Sequence, residues 1–197
     1  MHTASGRKVR VLDLPGAYSL HAHSLDEAIT RDIVRGRRPG EPLPDLLVCV
    51  TAATHLRLNL RLVLEARALG LPMVLVLNMS DMAERRGIQI DREVLARELG
   101  MPVLATVGVR GDGAQELLAW LDSPAAQALK APVVAAQEAV ALDASPLDAQ
   151  TQVIRTHQQV HRLMELAVRA PAASLRVDDR IAAVVLLTGL GSGLQRY

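Results

Sequence analysis

The sequence predicts an α/β fold, a parallel sheet with helices on both faces, followed by a small helical domain. Three observations carry this. Short apolar runs alternate with helical patterns along the chain. The runs are almost wholly apolar, as strands covered on both faces must be. Pro44, Pro72 and Pro102 each stand just before one of them, where the ladder has not begun and a missing N–H is tolerated.

The elements follow in order. Val9–Leu12, Leu46–Val50, Met73–Leu77 and Val103–Thr106 have strand length and are rich in Val and Leu. Ser24 can cap a helix over Leu25–Val34, with Glu27 completing a capping box. Leu56–Leu69 repeats Leu at helical spacing and Gly70 closes it. Asp91 caps Val94–Leu99, which Gly100 ends, and Ala114–Leu121 follows the GDG turn. After Pro124 the pattern changes. Gln127–Leu142 is Ala-rich, Thr151–Val168 is a helix with apolar Val153, Val160, Leu163, Met164 and Ala167, and Ile181–Leu187 is a further apolar run.

Composition narrows the function classes. The 197 residues are 50% apolar, enough for one core and an appendage. Net charge is +1 and Phe is absent, so neither a basic surface nor base-stacking aromatics point to nucleic acid. Lone Cys49 lies in the run LLVCV and reads as a buried small hydrophobe in a reduced setting. No apolar stretch reaches the roughly 18 residues of a membrane helix, and the N-terminus has no secretory core. The chain alone is expected to be soluble and cytoplasmic.

Ligands of a parallel sheet gather beyond the carboxyl ends of its strands, and three boxes stand there. Asp13-Leu14-Pro15-Gly16 follows the first strand. Asp13 can hold Mg²⁺ through water, and Gly16, with no Cβ, lets its N–H approach a phosphate. Asn78-Met79-Ser80-Asp81 follows the third strand. A carboxylate at Asp81 can accept two parallel hydrogen bonds from guanine, a donor pair that adenine lacks. Val107, Gly108 and Val109 lie in TVGVRGDG after the fourth strand, where backbone amides can meet the guanine carbonyl and Gly108 and Gly111 permit unusual dihedrals. Singly, each is equally an ordinary turn or helix cap; Asp-x-x-Gly arises by chance on the order of once in 200 residues. The set is specific: three boxes, in this order, on one edge.

DLPGAYSLHAHSLDEAITRDIV, TAATHLRLNLRLVLEARALGLPMVLVLNMSDMAERRGIQID and LARELGMPVLATVGVRGDGAQELL resemble the cytosolic GTPase domain of the bacterial ferrous-iron transport protein B family. The resemblance covers about Gly6 to Leu121, and Asn78-Met79-Ser80-Asp81 is its most telling part, since most small GTPases carry Lys where Met79 stands. It implies an incomplete P-loop-GTPase-like sheet. It also implies Asp13 and Gly16 serving Mg²⁺ and phosphate, Asn78 and Asp81 reading guanine, and Val107–Val109 lining the base. Residues 1–123 are then a partial GTPase domain, 124–176 a helical regulatory segment thought to slow nucleotide release, and 177–197 a linker toward a membrane domain. The implied ligands are GTP or GDP with Mg²⁺. The implied partners are the transporter's membrane domain and a homo-oligomer, with no nucleic acid, at the cytoplasmic face of the inner membrane.

The departures are specific. Lys8 and Lys130 are the two lysines, and neither completes the phosphate loop G-x-x-x-x-G-K-[ST]. The first switch is also missing. In such GTPases a further strand lies between those at Val9–Leu12 and Leu46–Val50, and its loss exposes edges. The chain is therefore expected to be a piece of a transporter with impaired nucleotide binding. The alternative is a non-enzymatic remnant or interaction module. A soluble GTPase of ribosome or tRNA assembly is disfavoured by the lack of a basic surface. No Gln closely follows Gly16, so no catalytic residue is assigned. His157, His161 and Glu165 share a helix face at metal-like spacing but read as a solvated polar face; His21, His23 and His55 are likewise not promoted.

Overall fold

The computed structural model describes residues 2–3, 5–17, 20, 25–129, 146–171 and 183–188. The Ser24 cap, His21, His23, Lys130, 131–145 and 172–182 lie outside them.

A five-stranded sheet forms the centre. β1 is Arg10–Asp13, β2 Leu46–Ala52, β3 Met73–Asn78 and β5 Val103–Ala105. Their order is β1-β7-β2-β3-β5, where β7 is Ala183–Thr188. β2, β3 and β5 pair in parallel, with Leu47 opposite Met73 and Val76 opposite Leu104. A two-stranded ribbon joins β4, Gln89–Ile90, to β6, Val168–Arg169, antiparallel. The helices are α1 Leu25–Val34, α2 Leu56–Arg67, α3 Ser80–Arg85, α4 Arg92–Leu99, α5 Gln115–Leu121, α6 Pro124–Ala128 and α7 Pro146–Ala167.

Why the strands read as continuous apolar runs is visible in their alternation. Leu47, Cys49, Leu75 and Leu77 face one side, packed with Leu56, Leu60 and Val63 of α2. Leu46, Val48, Val74 and Val76 face the other, with Leu121 of α5 against them. Side chains alternate across a strand, so a sheet buried on both faces has no polar position to offer. Asp91 caps α4 by accepting from the Val94 N–H at 2.9 Å, and Gly100 closes it at φ 68°, as the sequence predicts.

Two placements differ from expectation. Val9–Leu12 and Leu46–Val50 are expected to lack a strand between them, yet β7 lies there. It pairs antiparallel with both: Leu12 opposite Leu186, and Leu47 opposite the same residue. The stretch 177–197, read as a linker, thus contributes six residues to the sheet. A run as apolar as AVVLLT gains more by completing two open ladders than by remaining in water. Second, α7 starts earlier than the expected Thr151 and does not stand apart. Its Val160, Leu163 and Ala167 share one core with α2 and α4, while Val153 is exposed.

Candidate functional site

β1 and β2 both run opposite to β7, so β1, β2, β3 and β5 point the same way. The three boxes therefore leave the sheet at one edge. β1 stands three strand spacings from β3, about 14 Å, so a ligand meeting Asp13 and Asn78 together has to be extended.

The second and third boxes are wired to each other. Asn78 is the last residue of β3, and its Oδ1 accepts the Gly108 N–H at 2.9 Å and the Thr106 hydroxyl at 3.3 Å. The Thr106 carbonyl in turn accepts the Ser80 N–H at 3.3 Å and the Ser80 hydroxyl at 3.1 Å. Met79 turns the chain between them at φ 60°, the one non-glycine left-handed residue among those described. Such a conformation costs a side chain about 1–2 kcal/mol and persists where surrounding contacts over-determine it. Here those contacts are the bonds on either side, at Asn78 and Ser80. The turn opens α3 and sets Asp81 in its first turn.

Asp81 is half-exposed, and its Oδ2 holds the Arg85 guanidinium at 2.6 Å, one helical turn on. Such exposed i,i+4 pairs contribute only a few tenths of a kcal/mol, so the carboxylate is readily surrendered to a better donor pair. The third loop is exposed at its tip, where Val109 is 96% accessible. Gly108 and Gly111 are not in the left-handed region, contrary to the dihedral argument made for them. Gly108 serves by space instead, since a Cβ there would sit 3.3 Å from Asn78 Oδ1. A Cβ at Gly113 would fall 1.8 Å from the Val107 carbonyl oxygen, so no side chain fits.

The first box is held differently. Asp13 is exposed and ends β1, while Leu14 and Ala17 turn into the core. The buried Thr30 of α1 donates its hydroxyl to the Pro15 carbonyl at 3.1 Å. The Leu20 N–H donates to Glu65 Oε2 on α2 at 2.6 Å. No group of three or more His, Cys, Asp or Glu residues that could hold a metal occurs among the described residues. Asp13 is thus a single carboxylate, which fits Mg²⁺ of the kind bound by one carboxylate, water and substrate phosphates, and fits no all-protein metal cage.

The other candidates resolve plainly. His161 Nδ1 pairs with Glu165 Oε1 at 3.3 Å on an exposed face. Cys49 is fully buried, and burial pushes its thiol up to about 12, so it is an inert hydrophobe. No helix among the described residues is long and apolar enough to cross a membrane. Two residues escaped the sequence reading. Thr106 reads as the end of a strand but ties Asn78 to Ser80. Gly113 was taken for turn geometry but makes room for the Val107 carbonyl; its Gly in a GDG run was the available signal.

Comparison with known proteins places this arrangement. Residues 1–121 match the family model described as ferrous iron transport protein B. The Fe(2+) transporter FeoB of Escherichia coli K12 is 37% identical over 124 residues, which are 61% of this chain and 15% of that protein. The Fe(2+) transport protein A/Fe(2+) transporter FeoB fusion protein of Porphyromonas gingivalis is 39% identical over 116 residues, 59% of this chain and 13% of that protein. The chain therefore spans a small part of the length of these relatives. The cytosolic domain of L. pneumophila FeoB superposes with TM-score 0.61 at 25% identity, over 82% of this chain and 84% of that one. The T. maritima cytosolic domain in its GMPPNP form has TM-score 0.62 at 21% identity, over 86% of this chain and 89% of that one, a likeness of fold. With the family model matching more than half of its residues, this chain belongs to the ferrous iron transport protein B family, as a G domain of that kind.

Proposed function

We propose that the carboxyl edge of the sheet is a guanine-nucleotide site serving a ferrous-iron transporter. The observation that carries this reading is Asn78, whose Oδ1 ties the Gly108 amide and the Thr106 hydroxyl to the end of β3. That bond holds the third loop beside Asp81, where a guanine ring would meet both. Asp81 accepts from the base after releasing Arg85, Asn78 and Ser80 keep the two loops together, and Val107–Val109 line the base. Asp13 and Gly16 face Mg²⁺ and phosphate. The bound metal supplies charge neutralisation at the phosphates. Hydrolysis on such a site is a matter of positioning and electrostatics, and no described residue is assigned as its base.

In the longer relatives such a domain would couple GTP binding and hydrolysis to Fe²⁺ passage through a membrane domain, from the cytoplasmic side. Residues 124–176, whose helix α7 packs on α2 and α4, would be the regulatory segment that slows nucleotide release. This chain by itself should bind weakly. It contains no G-x-x-x-x-G-K-[ST] run. β7 also runs antiparallel, so its amino end meets the ligand edge, and no loop following that strand can cradle phosphates there.

Titration with fluorescent GDP and GMPPNP in Mg²⁺, against adenine analogues, tests both parts. Weak binding that prefers guanine is expected. Micromolar affinity overturns the impairment, equal affinity for adenine overturns the base reading, and no binding at all leaves the non-enzymatic remnant as the better account.

A further inference from the structure

We propose that Glu65 is a positioning residue, a latch that fixes the backbone after Gly16 to α2 and so sets the rest position of the first box. The inference rests on reading Asp13–Gly16 as the phosphate-facing box. Glu65 lies in the last turn of α2 with its side chain only 8% exposed, and two of its bonds serve opposite purposes. Oε1 holds the Arg61 guanidinium at 2.8 Å, one turn earlier on the same helix. Oε2 accepts the Leu20 N–H at 2.6 Å, from a segment 45 residues away in sequence. A carboxylate withdrawn from water is costly unless paired and hydrogen-bonded, and a helix surface alone offers no reason to bury one. Arg61 neutralises it at one oxygen, and the Leu20 amide is held at the other.

The consequence is mechanical. Among the described residues from Asp13, at the end of β1, to Leu20, two are fixed to helices: Pro15, whose carbonyl accepts from Thr30, and Leu20 itself. Leu14, Ala17 and Leu20 are all buried in the same core, so this stretch cannot slide without lifting apolar side chains. Gly16 lies between the fixed points. A ligand that draws the Gly16 amide outward must therefore strain or break the bond at Glu65, and the strength of that bond sets how far the segment responds. A charge-assisted acceptor is stronger than a neutral one, so the identity of residue 65 grades the response.

Amide hydrogen exchange by NMR on the full 197-residue chain tests this without nucleotide, so its outcome is independent of whether the edge binds one. In Glu65→Ala the Leu20 amide should exchange about 10- to 100-fold faster, with the Gly16 and Ala17 amide resonances displaced and the Leu60, Leu62 and Val63 amides of α2 unchanged. Glu65→Gln, which keeps an acceptor of the same shape, should restore part of the protection. A Leu20 amide that exchanges at the wild-type rate in both variants overturns the latch. So does a rise shared equally by the α2 amides, which would make Glu65 a support of the helix alone.

Discussion

The two ends of the candidate site are built on different principles. The end at β3 and β5 is assembled from neighbours: the two strands pair directly, and Asn78, Thr106, Ser80 and Gly108 close a small network across that pair. The end at β1 is assembled from strangers. β1 has no direct pairing with β2 and joins the sheet through β7, more than 170 residues along the chain by the register of Arg10 with Thr188. Its loop is then held by side chains of α1 and α2. One end is held by local parallel crossovers, the other by a long-range closure. The second should be the easier to undo.

The sharpest way to break this contrast is Leu186→Pro. Proline removes a ladder N–H from a strand paired on both sides, which leaves a carbonyl unpaired at about 1–3 kcal/mol and adds the clash of its ring with the ladder. Amide exchange should then show β1 unprotected while β3 and β5 keep their protection. Equal loss across the sheet would mean that the two ends fold as one unit.

Asn78→Ala against Asp13→Ala sharpens the contrast at the side chains. The first leaves the Gly108 amide and the Thr106 hydroxyl without their acceptor and should cost about 1–3 kcal/mol in urea unfolding. The carboxylate of Asp13 has no partner in the protein among the described residues, and its removal should stay within about 0.5 kcal/mol. A comparable loss for both would show that Asp13 has a structural role the geometry does not contain.

The smallest effect is in acid. Asp122 accepts from the Ser5 hydroxyl at 2.6 Å and the Ser5 N–H at 2.8 Å, clasping the turn at residues 2–8 to the end of α5. The Ser5 side chain, then Thr3, holds its carboxyl below the usual value of 3.8. A depressed carboxylate pKa contributes stability that is full above the unfolded value and is lost as pH falls through the folded one. The clasp should therefore persist at pH 5 and open below the usual aspartate value. In Ser5→Ala it should open nearer the ordinary value, a shift that NMR titration of the Asp122 carboxyl reads directly.

How much of this was legible beforehand depends on the range of the interaction. Asp91 and Gly100 announce their helix because capping involves atoms three residues apart. β2, β3 and β5 announce themselves because burial on both faces leaves them almost no polar position, whereas β1 is mostly exposed and reads less clearly. Asn78 to Asp81 could be read as a box from its order among the others. Its wiring could not be, because Thr106 is 28 residues from Asn78 and looks like any strand residue. Glu65 was equally silent: a Glu in a helix is ordinary until the Leu20 amide is found against it.

By itself the sequence determined the α/β class, the four strands β1, β2, β3 and β5, the helices between them with the caps of α4, and the order of the three boxes along one edge. These follow from periodicity and from short-range hydrogen bonding, which a few adjacent residues settle. Tertiary structure alone decided that 183–188 fills the sheet between β1 and β2, that it runs antiparallel, and that α7 shares its core with α2 and α4. An apolar run states that it must be buried. Which edge buries it, and in which direction, depends on which ladders elsewhere in the chain remain open.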